Sequence, residues 1–111
     1  MMKNETRGTT VATEVHLADS FLKRLRGLLF RTHLPEGHAL VIDETNSIHM
    51  FFMLFSIDVI FTDEDGQVTA VFPHRRPFSL PIWSWKATHA VELPVGTIAA
   101  SGTQPGDRLS W

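Results

Sequence analysis

The spacing of hydrophobic and polar positions changes several times along this chain, and each change predicts an element. Residues 1–8 are polar and charged, and they read as a flexible N-terminus ahead of one β-rich domain over 9–111. From Thr9 to Leu17 the apolar residues Val11, Val15 and Leu17 fall at even spacings, which predicts a strand. Asp19-Ser20 then supplies a helix N-cap signal. Beyond it Phe21, Leu22, Leu25, Leu28 and Leu29 project within an arc of about 120°, the width of one buried helical stripe. Lys23, Arg24, Arg26 and Arg31 lie around the other side, so the spacing predicts one short amphipathic helix near residues 20–30.

Leu34-Pro35-Glu36-Gly37 reads as a turn and Ala39–Ile42 as a short strand. The most apolar window follows, Ile48–Asp63, with His49 near one end and Asp58 in its middle. It predicts two strands, Ile48–Met53 and Ile57–Thr62, apolar in both alternating registers and therefore covered on both faces. Burying Asp58 beside Ile57, Val59 and Ile60 costs free energy unless partners meet the carboxylate. Asp63-Glu64-Asp65-Gly66 is a tight-turn signal, so Val68, Ala70 and Phe72 are expected to alternate along a second hairpin arm.

Pro73–Pro81 reads as loop, and Ile82–Trp85 as a short strand or an ordered loop. Ala87–Leu93 predicts a strand with His89, Val91 and Leu93 on one face and Ala90 and Glu92 on the other. Thr97–Ala100 is ambiguous, Gly102–Asp107 a turn, and Arg108–Trp111 a last strand. About six to eight short strands and one helix predict a mainly β domain, a compact sandwich or barrel-like fold rather than a βαβ fold.

Composition narrows the function. A net charge of −2 with pI near 6.3 provides no basic field for nucleic acid. The absence of cysteine excludes disulfides, thiolate metal sites and a cysteine nucleophile. No signal-peptide pattern opens the chain and no apolar run is long enough to span a bilayer, so a cytoplasmic location is expected. Neither a phosphate-binding glycine loop nor a serine in a nucleophile elbow is present, and no cofactor is implied.

Four positions are polar where apolar neighbours predict burial or docking: Arg31, His49, Asp58 and Glu92. An Arg31–Asp58 ion pair that docks the helix on the sheet explains two of them structurally. The functional alternative is a polar cleft for a small ligand or protein partner, with Arg31 as an anion anchor. An enzyme on a carbohydrate-like substrate is a second alternative, requiring Asp58 and Glu92 to face each other about 5–9.5 Å apart. His49, Met50 and Met53 carry the donor types that suit Cu(I), although methionine among phenylalanines is more often core filler. A zinc site from His49, Asp58 or His89 with Glu92 lacks any recognised ligand spacing. Trp83 and Trp85 face one way if extended, as a stacking platform or as cover for an open end of the sandwich.

Gly27-Leu28-Leu29-Phe30-Arg31 resembles the Gly-Leu-Met-Phe-Arg signature of the family catalogued as domain of unknown function 192. The segment from His49 to Asp58 resembles its second signature, His-Thr-Phe-Phe-Met-Arg-Phe-Pro-Ile-Asp. Val91–Gly96 resembles its third, Leu-Glu-Leu-Pro-Ala-Gly, and Pro105-Gly106-Asp107 its closing turn. The order is the family's own and spans nearly the whole chain. Met50, Leu54 and Ser56 depart from the second signature, and Leu54 removes an arginine from beside Asp58. The resemblance implies a jelly-roll-type β sandwich with a short helix and no established activity. The combined expectation is a small non-catalytic binding module.

Overall fold

A computed structural model describes residues 1–17, 33–48, 50 and 54–111. The helix expected near residues 20–30 lies outside them. The described chain is mainly β, with ten strands and one short helix: β1 (Met2–Asn4), β2 (Thr9–Ala12), β3 (Glu14–Leu17), β4 (His38–Asp43), β5 (Ser47–Ile48), β6 (Ile57–Thr62), β7 (Val68–Arg75), β8 (Ile82–Trp83), β9 (His89–Leu93), α1 (Thr97–Ser101) and β10 (Leu109–Ser110). A five-stranded sheet of order β3-β4-β9-β6-β7 forms the centre, antiparallel except for the parallel β3–β4 pair. A three-stranded sheet, β10-β1-β2, and a two-stranded ribbon, β5-β8, complete the fold.

Each face of the central sheet has its own core. One face contributes Ala39, Val41, Ile60, Val91 and Leu93, which pack with Met2, Val11 and Leu109 of the three-stranded sheet and Ile98 of α1. The other contributes Val59, Phe61 and Ala90, which pack with Ile48, Met50 and Ile82. Every residue of β6 is buried, as two covered faces require.

The differences from the sequence pattern have physical causes. Residues 1–8 do not fray as a whole: β1 pairs with β2 and β10, which buries Met2 and Asn4 completely. The strand expected over Thr9–Leu17 is two strands in two sheets. It breaks at Thr13, where the amides of Thr13 and Glu14 both turn to the Gly37 carbonyl at 2.8 and 3.0 Å. The β6–β7 hairpin forms as expected, and the Asp63 carboxylate accepts the amides of Asp65 and Gln67, both at 2.9 Å. Gly66 holds φ 84°, and a Cβ there would lie 2.3 Å from the Leu109 carbonyl oxygen, so only glycine fits.

The second arm does not alternate simply. Thr62 pairs with Val68 but Phe61 with Ala70, so β7 carries one extra residue and Val68 joins the core opposite to Ala70 and Phe72. A second shift between Ile57 and Val59 carries β7 through Pro73 to Arg75, where a loop is expected. Thr97–Ala100, ambiguous in sequence, is helical, with Gly96 as its N-cap in the left-handed conformation.

Candidate functional site

Asp58 is the pivot. Its side chain leaves β6 on the same face as Ile60, is 1% exposed, and is met by three backbone amides. The His74 N–H donates to Oδ1 at 2.8 Å, while the Gly96 and Ile98 N–H groups donate to Oδ2 at 3.2 and 2.9 Å. Each amide is one that its own element leaves unsatisfied. His74 sits in the irregular stretch of β7 with φ 51°, where the ladder skips a residue. Gly96 and Ile98 belong to the first turn of α1, whose glycine N-cap has no side chain to cap it. One carboxylate thus stitches a strand bulge, the loop after β9 and a helix start together. The partners that the buried charge demands are backbone groups; Arg31 lies outside the described residues.

Glu92 is also buried, but it belongs to the other face. Register pairs Asp58 with Leu93 and Val59 with Glu92, and cross-strand partners share a face. Leu93 packs in the first core and Val59 in the second. The two carboxylates expected in one cleft therefore project from opposite sides of the central sheet, and an acid–base pair between them has no geometry. Met50 is fully buried in the second core, the role of a core filler. His49 and Met53, its proposed copper co-ligands, lie outside the described residues. Among the described residues no group of three or more His, Cys, Asp or Glu is placed to hold a metal.

Trp83 and Trp85 are 52% and 83% exposed, with ring centroids 6.3 Å apart and planes at 60°. Tilted planes make an edge-to-face pair rather than a flat platform for a sugar. Both rings are exposed, so neither serves as cover for a core.

A cleft of about 550 Å³ opens on the Asp58 side of the sheet. Its walls are β2 from Thr10 to Ala12, the Leu34–Gly37 turn, and the Pro94–Thr97 loop with Ala100 of α1. Among the described residues Glu36 is its only ionisable lining residue, and Val11, Ala12, Leu34 and Val95 make much of it apolar. The loop that Asp58 pins through Gly96 forms one wall. The Leu34–Gly37 turn and the Gly96 segment are each legible in the sequence, but their meeting is not, because the cleft is assembled from three separated segments.

A second polar cluster also escapes sequence reading. Asp107 Oδ2 accepts Nδ2 of Asn4 at 3.0 Å, Nε of Arg7 at 2.7 Å and the amide of Gln104 at 3.0 Å. The Asn4 hydrogen bond foremost, then Arg7 and the Gln104 amide, hold the Asp107 carboxyl below its ordinary range against the opposing effect of burial. The Thr103 hydroxyl extends the network, accepting from Asn4 Nδ2 at 3.1 Å. The available signal was the closing turn Pro105-Gly106-Asp107, which marks the place but not its partners.

Comparison with known proteins agrees with this architecture. The DUF192 family model, described as "Uncharacterized ACR", matches residues 2–111. A UPF0127 protein of Thermococcus kodakarensis is 41% identical over 117 residues, covering 100% of this chain and 73% of its own. One from Pyrococcus horikoshii is 38% identical over 117 residues, covering 100% and 98%. A crystal structure of a protein of unknown function from Novosphingobium aromaticivorans superposes with a TM-score of 0.76 at 21% identity, over 99% of this chain and 82% of that one; it shares the fold. Among the described residues no helix is long and apolar enough to cross a membrane. The chain belongs to the DUF192 family of uncharacterised proteins.

Proposed function

We propose that this domain is a non-catalytic binding module that takes a small ligand in the cleft beside the Asp58 clamp. The observation that carries the reading is the coincidence of a buried carboxylate with the wall of a cavity of about 550 Å³. That volume is in the range of small-molecule sites, roughly 300–1,000 Å³. The clamp fixes the Pro94–Thr97 loop before a ligand arrives, which lowers the ordering cost of binding. Mixed apolar and hydroxyl walls with one carboxylate, Glu36, favour a neutral or cationic molecule with an apolar body. Among the described residues the lining holds no histidine, lysine or paired carboxylate to move a proton, which supports binding over catalysis as the reading. Arg31 and His49, the other two candidates from the sequence, lie outside the described residues, and the reading does not rest on them.

A thermal-shift screen of small amines and neutral amphiphiles tests this. A ligand at about 100 times its Kd adds about 2.7 kcal/mol and raises Tm by several degrees. Protection should vanish in Ala100→Trp, which fills the cleft mouth, and weaken for amines in Glu36→Gln. Equal protection of the wild type and Ala100→Trp by every hit would end the proposal.

A further inference from the structure

Leaving the end of β7, residues 74–86 run on to the second core's side of the central sheet, where Ile82 is buried. This segment carries Arg75, Arg76 and Lys86 and no Asp or Glu, in a chain whose net charge is −2. Between those cations Phe78, Leu80, Trp83 and Trp85 are 67%, 79%, 52% and 83% exposed. We propose that this ridge docks the protein on an anionic lipid surface, with the apolar side chains in the headgroup–acyl boundary and the cations against lipid phosphates.

The ridge is built to present these side chains. Ile82, buried in the second core, anchors it, and β8 pairs with β5 through Ile48–Ile82 and Ser47–Trp83. The Ser84 amide donates to the Asn46 carbonyl at 2.9 Å, and the Phe78 amide to the Met50 carbonyl at 2.9 Å. A turn closed by Ser79 onto the Arg76 carbonyl, at 3.2 Å from the amide and 2.7 Å from Oγ, turns Phe78 outward. Phe78 sits there at φ 60°, a conformation that bulky residues adopt only where the surroundings impose it. The order imposed on the segment thus exposes its aromatic residues instead of hiding them.

Charge and shape select the occupant. Protein-binding hot spots seat aromatics in desolvated pockets with few charges at their centre. Here Phe78, Leu80, Trp83 and Trp85 each project beyond half exposure and the cations flank them along the chain. Tryptophan, phenylalanine and leucine beside arginine and lysine is the composition of segments that lie in a membrane interface. Anionic lipid supplies the complementary charge.

Co-sedimentation of the full chain with vesicles of phosphatidylcholine alone, and with 30% phosphatidylglycerol, tests this at about 0.1 M salt, where such attraction is only partly screened. The expected result is binding to the anionic vesicles, at least about tenfold weaker for Arg76→Glu/Lys86→Glu and for Trp83→Ala/Trp85→Ala. Brominated lipid should quench wild-type fluorescence and leave Trp83→Phe/Trp85→Phe unquenched, since the remaining Trp111 packs on His89, 5.9 Å between centroids. No binding to anionic vesicles, or unchanged binding by both double variants, would overturn the proposal. Retention on an acidic protein without vesicle binding would assign the ridge to a protein partner and overturn it equally.

Discussion

Asp58 and Asp107 are both buried carboxylates that accept three hydrogen bonds, but they meet different chemistry. Asp58 takes only backbone amides, from a strand bulge and the first turn of α1. Asp107 takes two side chains, Asn4 and Arg7, and one amide, and so ties the first strand to the last turn. One carboxylate repairs backbone that its neighbours leave unsatisfied; the other closes the ends of the chain on each other. Irregular backbone asks for an acceptor and specifies nothing about side-chain partners. Closing the termini depends on side-chain identity at both ends.

The largest expected effect is at Asp58. Asp58→Ala orphans three amides, including that of buried Ile98, and should cost about 3 kcal/mol in urea unfolding. Asp58→Asn keeps one acceptor oxygen but turns an amide N–H₂ toward N–H donors, so it should recover less than half. Near-neutral behaviour of both would mean that water replaces the carboxylate, and the contrast with Asp107 would collapse. Next is Asn4→Ala, which removes the hydrogen bonds to Thr103, Asp107 and the Arg7 amide, for about 2 kcal/mol. The two clusters share no partner, so the double variant should lose the sum within about 0.5 kcal/mol. A larger departure would show one cooperative network where the structure has two.

How much of this was legible depends on the range of the interaction. β6 and the Asp63–Gly66 turn were readable because alternation and turn chemistry are local. Asp58 was readable as an oddity, a carboxylate inside an apolar run, but its partners were not. Backbone amides leave no mark in residue type, so an arginine was the natural candidate. Glu92 failed for a different reason. Alternation orders residues along β9, but only its register against β6 says which face Glu92 shares, and a one-residue offset puts it opposite Asp58. β1 was hidden because Met2 and Asn4 are buried by strands from residues 9–12 and 109–110, contacts that no local pattern announces.

The smallest effect sharpens the comparison through pH. The Asp107 carboxyl is held below its ordinary value, so on acidification the unfolded chain takes up this proton before the folded one does. Its contribution to stability is complete above the ordinary carboxylate range, about pH 4, and is lost as pH falls through that range and the depressed value beneath it. Asp107→Asn has no such proton to bind. Its stability should be lower than wild type at neutral pH, and the difference should shrink steadily from pH 5 to pH 2.5 in urea titrations. Asn4→Ala removes the main cause of the depression and should flatten the same limb in part. If Asp107→Asn retained the full acid slope of the wild type, other carboxylates would carry the acid sensitivity, and the Asn4–Arg7–Asp107 cluster would be a steric lock instead of a charged one.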